Sequence, residues 1–275
     1  MNDKGVTRRR MSRGPTAADD RVAVEEPLEI RVAQDTVAIT MRTPGDDVRL
    51  VLGFLLSEGI IKGAADVGTA AYCGRPGDDG YGNVIDVTPA SGARLHLERV
   101  EASRRGTLTT SACGVCGRKS VDDLLALAGR VPDGPTLAAA VITRAPELLR
   151  QVQPNFALTG GVHAAAAITA DGELVASAED VGRHNAVDKT IGALVQSGRA
   201  PVRRGPAEPA VLLVSGRASF EIVQKAAMAR LAAVVSVSAA SSLAIDLAER
   251  LGLTLASFTR DGQFNLYTGP ARVQS

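Results

Sequence analysis

AVLLVSGRASFEIVQKAAMARLAAVVSV, residues 210–237, reads as one supersecondary unit. Ala210 to Val214 is a continuous apolar run of strand length that stops at Ser215-Gly216-Arg217. Ser219 to about Leu231 then carries apolar residues at helical spacing, and Ala232 to Val237 is apolar and rich in β-branched residues again. Strand, helix, strand at this spacing predicts a βαβ unit, and with it a pair of parallel strands. Downstream, Ser241 or Ser242 caps a second helix ending near Gly252, and Leu253 to Phe258 and Phe264 to Tyr267 supply further strands. Upstream, His163 to Thr169 and Glu173 to Ser177 flank an Ala-Asp-Gly turn, before a helical pattern that runs from a capping Asn185 to Val195. The alternation predicts an α/β fold whose largely parallel sheet is covered on both faces.

The N-terminal part reads as a smaller unit. Leu28 to Val32 and Thr36 to Arg42 alternate as the two strands of a hairpin, and Asp46 to Glu58 places Val48, Val51, Leu52, Leu55 and Leu56 at helical spacing before Gly59. After a turn-rich stretch from Gly74 to Gly82, Asn83 to Thr88 and Arg94 to Arg99 look like strands. These elements predict an α/β subdomain over residues 21–110, a mobile loop over 107–119 and the main α/β domain over 120–275. That domain opens on a helix whose start is marked by Ser120 and Asp123. Residues 1–20 hold Arg8, Arg9, Arg10 and Arg13 with no apolar stretch behind them, which predicts a disordered, solvated leader and no export signal.

Composition narrows the function classes. Lys plus Arg (31) nearly cancels Asp plus Glu (30), so no whole-molecule field favours nucleic acid or an anionic membrane as partner. No window approaches the ~18 consecutive apolar residues of a bilayer span. Cys73, Cys113 and Cys116 form an odd, sparse set that suits a reducing compartment, so a cytoplasmic location is expected. Cys73, between Tyr72 and Gly74, reads as a semi-buried structural thiol.

The chemistry concentrates in Cys113-Gly114-Val115-Cys116-Gly117-Arg118-Lys119. Two thiols at this spacing can form a disulfide, share a metal or relay sulfur. Glycines give the segment a pliable backbone, while Arg118, Lys119 and the following helix N-terminus shift a thiol from its free pKa near ~8.5 toward thiolate. A structural zinc site needs about four ligands, which Cys73 and one histidine would have to complete without a recognisable second pair. A thioredoxin-like site would follow a strand directly, whereas residues including a glycine intervene here. Sulfur relay and these rivals stay open on the pair alone; no permanent metal is expected.

Other strings suit a ligand. Gly160 and Gly161, ahead of His163, let a backbone approach closely, and Arg183, His184 and Lys189 offer donors for phosphate or a guanine edge. Arg217 lies in a strand-to-helix turn, and Ser241 and Ser242 open the next helix, so two phosphate-friendly helix starts would share one sheet edge. Ordinary serine capping and satisfied buried histidines are the bland readings of the same residues.

Taken together, Glu25 to Leu28, Met41 to Gly45, Gly53 to Gly59, the Cys113 loop, Thr159 to His163 and Glu179 to Lys189 resemble the FdhD/NarQ family of formate dehydrogenase accessory proteins, in the same order. Ser215 to Lys225, Ser241 to Ala244 and Phe258 to Tyr267 extend the likeness to nearly the whole chain after the leader. The resemblance implies a cytidine-deaminase-like three-layer core and a homodimer. It implies a sulfurtransferase that takes sulfane sulfur from a cysteine desulfurase and passes it to Mo-bis(molybdopterin guanine dinucleotide), a bound substrate, before that cofactor enters formate dehydrogenase. Carried onto this chain, Cys113 holds the persulfide, Cys116 assists, and Phe258, Thr259, Arg260, Asp261, Gly262 and Gln263 contact the cofactor. Ala112 departs from the serine usual in the family. A nonenzymatic chaperone for the same cofactor is the rival function. Zinc deaminases share the implied architecture, but their His-x-Glu string is missing, since Ala164 and Ala165 follow His163, and the cysteine pair lies upstream without its proline.

Overall fold

The computed structural model describes residues 3–10, 16–78, 80–93, 95–96, 121–203, 205 and 207–275. They begin with an antiparallel ribbon, β1 (Asp3–Arg10) and β2 (Thr16–Ala23), in register from Asp3↔Ala23 to Arg10↔Thr16. The stretch read from composition as disordered therefore carries a ladder. Pairing satisfies its backbone without an apolar face, and Ala23 at its end lies beside Gly161.

β3 (Glu26–Val32) and β4 (Asp35–Arg42) form the expected hairpin, and their alternation turns Leu28, Ile30, Val32 and Val37 inward. α1 (Asp47–Ser57) buries Val51, Leu52, Leu55 and Leu56 of the apolar stripe that defined it, with Val48 half-buried at its start. β5 (Val67–Tyr72) and β6 (Val84–Pro89) complete a four-stranded sheet in the order β4-β3-β6-β5, in which only β3 and β6 run parallel. β5 carried no strand signal because it is a sheet edge with no buried residue. Of the strand expected over Arg94 to Arg99, Leu95 and His96 are described and belong to no strand. The rest of it, and the loop with Cys113 and Cys116, lie outside the described residues.

After α2 (Val121–Ala128) come β7 (Leu137–Ala138) and three short helices, α3 (Ala139–Thr143), α4 (Ala145–Gln151) and α5 (Pro154–Thr159). The main unit follows as β8 (His163–Ile168), β9 (Leu174–Asp180), α6 (Arg183–Gln196), β10 (Val211–Val214), α7 (Phe220–Met228), β11 (Ala233–Ser236), α8 (Ser242–Leu251), β12 (Thr254–Arg260) and β13 (Gln263–Thr268). β14 (Val273–Gln274) pairs with β7. The six-stranded sheet has the order β13-β12-β11-β10-β8-β9. Only β10, β11 and β12 are parallel, so the expected largely parallel sheet is a mixed one. Tight turns join β8 to β9 and β12 to β13, and a tight turn can connect only antiparallel neighbours.

One face of this sheet packs Ala165, Ala167, Leu212, Val214, Val234 and Leu255 into the cluster that also holds residues of α6, α7 and α8. The other packs Ala164, Ala166, Ile168, Leu213 and Val235 against Leu137, Ile142, Ala145 and Leu149. The result is a three-layer α/β/α unit. The alanines of β8 compensate for scarce aromatics by letting α6 come close; Thr190 on α6 donates to the Ala165 carbonyl at 3.1 Å.

α1 and α6 cross through reciprocal glycines. A Cβ added to Gly53 would lie 1.9 Å from the Asp188 carbonyl oxygen, and one added to Gly192 would lie 1.7 Å from that of Arg49. The close crossing draws Leu28, Ile30 and Ile85 of the small sheet into one core cluster with Leu212 and Val234 of the large one. Beside it, Lys225 reaches both carboxylate oxygens of Asp188 at 2.8 Å, and the Ser57 hydroxyl donates to Asp188 at 3.1 Å. Burial pushes the Asp188 carboxyl up, and Lys225 opposes that shift.

Candidate functional site

The carboxyl ends of β10, β11 and β12 define the edge on which the ligand-suited strings converge. Each parallel strand there hands over to a loop and a helix start, the position where open α/β sheets bind ligands. Hydrogen bonds stitch the loops together. Ser215 and Ala164 exchange two, Ala164 N–H donating to Ser215 Oγ at 2.9 Å and Ser215 N–H to the Ala164 carbonyl at 3.0 Å. Ser236 Oγ donates to the Gly216 carbonyl at 2.7 Å, Ala218 bridges to Ala240, and Phe258 N–H donates to the Ser238 carbonyl at 3.0 Å. His163, the loop carrying Arg217, the loop leading to Ser241 and Ser242, and the start of the Phe258 turn thus form one continuous row.

Within the row, Ser241 caps α8 as expected, its Oγ accepting from Ala244 N–H at 3.3 Å. Ser242 and Arg217 are exposed. Phe258 adopts φ 55° and Asp261 φ 53°, left-handed values costly for side chains with a Cβ, and β12 changes register between Ser257 and Arg260. That kink lays the Arg260 guanidinium 5.7 Å from the Phe258 ring centroid and leaves Arg260, Asp261, Gly262 and Gln263 exposed. Thr259 points inward instead. Among the described residues its hydroxyl, with those of Ser219 and Ser257, is buried without a hydrogen-bond partner. Three orphaned buried donors beside one row of loops suit a polar ligand.

A second wall is built by the turn from β9 into α6. Asp180, wholly buried, accepts from Gly182 N–H at 2.8 Å, the Asn185 amide at 3.1 Å and Thr43 N–H at 3.1 Å, and pairs with Lys189 Nζ at 2.7 Å. Burial pushes its carboxyl up, while Lys189 and the N–H donors work against that. Lys189 also donates to the Thr43 carbonyl at 2.7 Å, so this lysine is committed to structure and is no ligand donor. Asn185 does not cap α6. Gly182 holds the N-cap position, and Asn185 is buried one turn in, donating to the Met41 carbonyl at 2.7 Å. This anchoring leaves Arg183 and His184 half-buried at the helix start.

Glu179 fixes the glycine string. Its two oxygens accept from Asn155 and Phe156 N–H at 2.8 Å each, pinning the start of α5, whose end is Gly160 at φ 65°. Gly160 and Gly161 are exposed, and His163 follows at the row itself. An added Cβ on Gly216 would meet His163 Nδ1 at 3.4 Å and Arg183 Cβ at 3.7 Å. Burial, then the neighbouring Arg183 and His184, hold the His163 pKa below its ordinary 6.5. Because the unfolded chain binds this proton first, the stability contributed by the neutral ring is complete above pH 6.5 and lost as pH falls through the lower folded value. An NMR titration is expected to place His163 below 6.5, with Arg183→Met moving it upward and His163→Gln removing that part of the acid destabilisation.

Asp180, Glu179 and Glu221 fall inside strings quoted from the sequence, but the sequence assigns none of them a role, because a buried carboxylate that orients another group has no local pattern. Glu221 Oε2 lies 2.5 Å from His184 Nε2. Cys73 is half-buried with a free thiol, and among the described residues no group of three or more His, Cys, Asp or Glu is placed to hold a metal. No described helix is long and apolar enough to cross a membrane.

Comparisons with known proteins agree over almost the whole chain. The model of the FdhD/NarQ family matches residues 23–274. The sulfur carrier protein FdhD of Anaeromyxobacter dehalogenans is 53% identical over 270 residues, covering 98% of this chain and 93% of the relative. The protein of the same name from Nocardia farcinica is 47% identical over 285 residues, covering 100% and 97%. A crystal structure assigned as a formate dehydrogenase accessory protein from Desulfotalea psychrophila superposes with a TM-score of 0.78 at 24% identity over 100% of both chains, a likeness of fold.

Proposed function

Because this chain belongs to the FdhD/NarQ family, we propose that it is a sulfur carrier for the maturation of formate dehydrogenase. The observation that carries the reading is the 53% identity, over 98% of the chain, to a protein named for sulfur carriage. The finer steps rest on residue chemistry. A cysteine desulfurase supplies a persulfide, and the Cys113 thiolate attacks its terminal sulfur. A new bond forms to Cys113 Sγ while the donor S–S bond breaks, its electron pair leaving on the donor thiolate. The Cys116 thiolate then attacks Cys113 Sγ, forming the Cys113–Cys116 disulfide and releasing HS⁻. The sulfane sulfur is thereby reduced to sulfide and two thiols are oxidised, and a cellular dithiol returns the pair to its starting state.

The sulfur acceptor is Mo-bis(molybdopterin guanine dinucleotide), held as substrate along the row from His163 to the Phe258 turn. Helix starts at Arg183, Phe220 and Ser242 bring backbone N–H groups and dipole to the same edge as its phosphates, and Arg183, Arg217 and Arg260 add fixed positive charge. The three-layer unit is read as cytidine-deaminase-like, and the working form as a cytoplasmic homodimer. Treatment with desulfurase and cysteine, then mass spectrometry of the Cys113 peptide, tests carriage itself. A gain of one or more sulfur atoms that dithiothreitol removes is expected. Cofactor binding without any sulfur adduct would overturn the proposal in favour of a nonenzymatic chaperone.

A further inference from the structure

Two of the three histidines in the chain stand at the proposed cofactor edge, and a buried carboxylate outside every ligand string faces one of them. Glu221 lies in the first turn of α7 and is 7% exposed; His184 comes from the start of α6. Their contact, Oε2 to Nε2 at 2.5 Å, links the helices that frame the row. Arg183 Nε also lies 3.3 Å from that ring nitrogen. One nitrogen cannot both donate to Glu221 and accept from Arg183. The shorter contact to a buried carboxylate decides: the proton sits on Nε2, facing Glu221, and the guanidinium lies alongside without bonding to it. Among the described residues, Glu221 from α7, Arg183 from α6 and His163 from β8 are charged or titratable groups beside the ring.

We propose that Glu221 is the positioning residue of this edge: by accepting from His184 Nε2–H it fixes the ring and leaves Nδ1, unprotonated, as an acceptor for an N–H donor on the guanine base of a bound nucleotide. The inference rests on the cofactor-edge reading and adds to it a residue that need touch no ligand. A carboxylate so far from water stays ionised only beside a partner, and an imidazole locked by its far nitrogen presents the near one in a single direction.

With only three histidines, the imidazole N–H protons of the whole protein can be assigned by NMR using His184→Gln. The His184 Nε2 proton is expected downfield of the others and slow to exchange, and Glu221→Gln is expected to move it upfield. Guanosine diphosphate, the nucleotide half of the proposed substrate, serves as probe. Its Kd is expected to weaken about tenfold in Glu221→Gln and in His184→Gln, with the double variant no worse than either, as for residues acting through one contact. Thermal unfolding checks that each variant is folded, and His184→Gln tests the link if Glu221→Gln is not. An unmoved His184 proton in folded Glu221→Gln, or unchanged affinity in both single variants, overturns the proposal. Wild-type protein that fails to bind guanosine diphosphate overturns the cofactor-edge reading itself, a different result from binding that the variants leave intact.

Discussion

Gly192→Ala is expected to abolish the stable fold. The new methyl group would sit 1.7 Å from the Arg49 carbonyl oxygen, a backbone atom that cannot swing aside as a side-chain end could. Relief requires α1 and α6 to separate, and that pulls apart the core residues the two sheets share. Overpacking usually costs ~1–3 kcal/mol because neighbours adjust. Here both walls are helix backbone, and the loss is expected to exceed ~4 kcal/mol, a large part of a domain's stability. Gly53→Ala, 1.9 Å from the Asp188 carbonyl oxygen, is expected to behave alike. Gly198→Ala has open space around the added carbon and a left-handed backbone, so its cost is expected to be only ~1 kcal/mol. Urea titrations of the three variants check the ranking; a Gly192→Ala midpoint equal to that of Gly198→Ala would refute the close-crossing argument.

The second large effect concerns sulfur. Cys113→Ala removes the atom proposed to hold the persulfide, and transfer of sulfur-35 from a desulfurase is expected to fall by roughly 10³-fold or more, as when a covalent nucleophile is lost. Cys116→Ala keeps the acceptor thiol and is expected to load Cys113 while releasing sulfide slowly. The contrast separates the roles of the two thiols: undiminished labelling of Cys113→Ala would sink Cys113 as carrier, and equal loading defects in both variants would point to a pair acting as one unit.

The parts of this fold that could be read from sequence are those where a periodic pattern and burial coincide. The apolar runs of β10 and β11 are fully buried strands, and the stripe of α1 is a buried stripe. Strand direction was harder, since β12 and β13 have ordinary strand composition and only their tight turn makes them antiparallel. Asn185 misled because a capping residue and a buried amide that bonds two strands look the same in one dimension. At the candidate site, Arg183, His184 and the serine loops stood out as polar residues beside glycines at helix starts. Lys189 stood out equally, yet it spends its charge on Asp180, a partner nine residues earlier that helix and turn geometry bring within 2.7 Å. Glu221 is invisible for the converse reason, being one acidic residue in an amphipathic helix until the tertiary fold sets His184 against it.

α6 carries Gly192 in its seat against α1 and His184 in its first turn, eight residues or about 12 Å away along a helix. One degree of tilt about that seat corresponds to a displacement of about 0.2 Å at that imidazole, which the buried bonds of Asn185, Asp188 and Lys189 also resist. The absence of a side chain at one point in the interior therefore limits the angular play of a ring at the ligand edge.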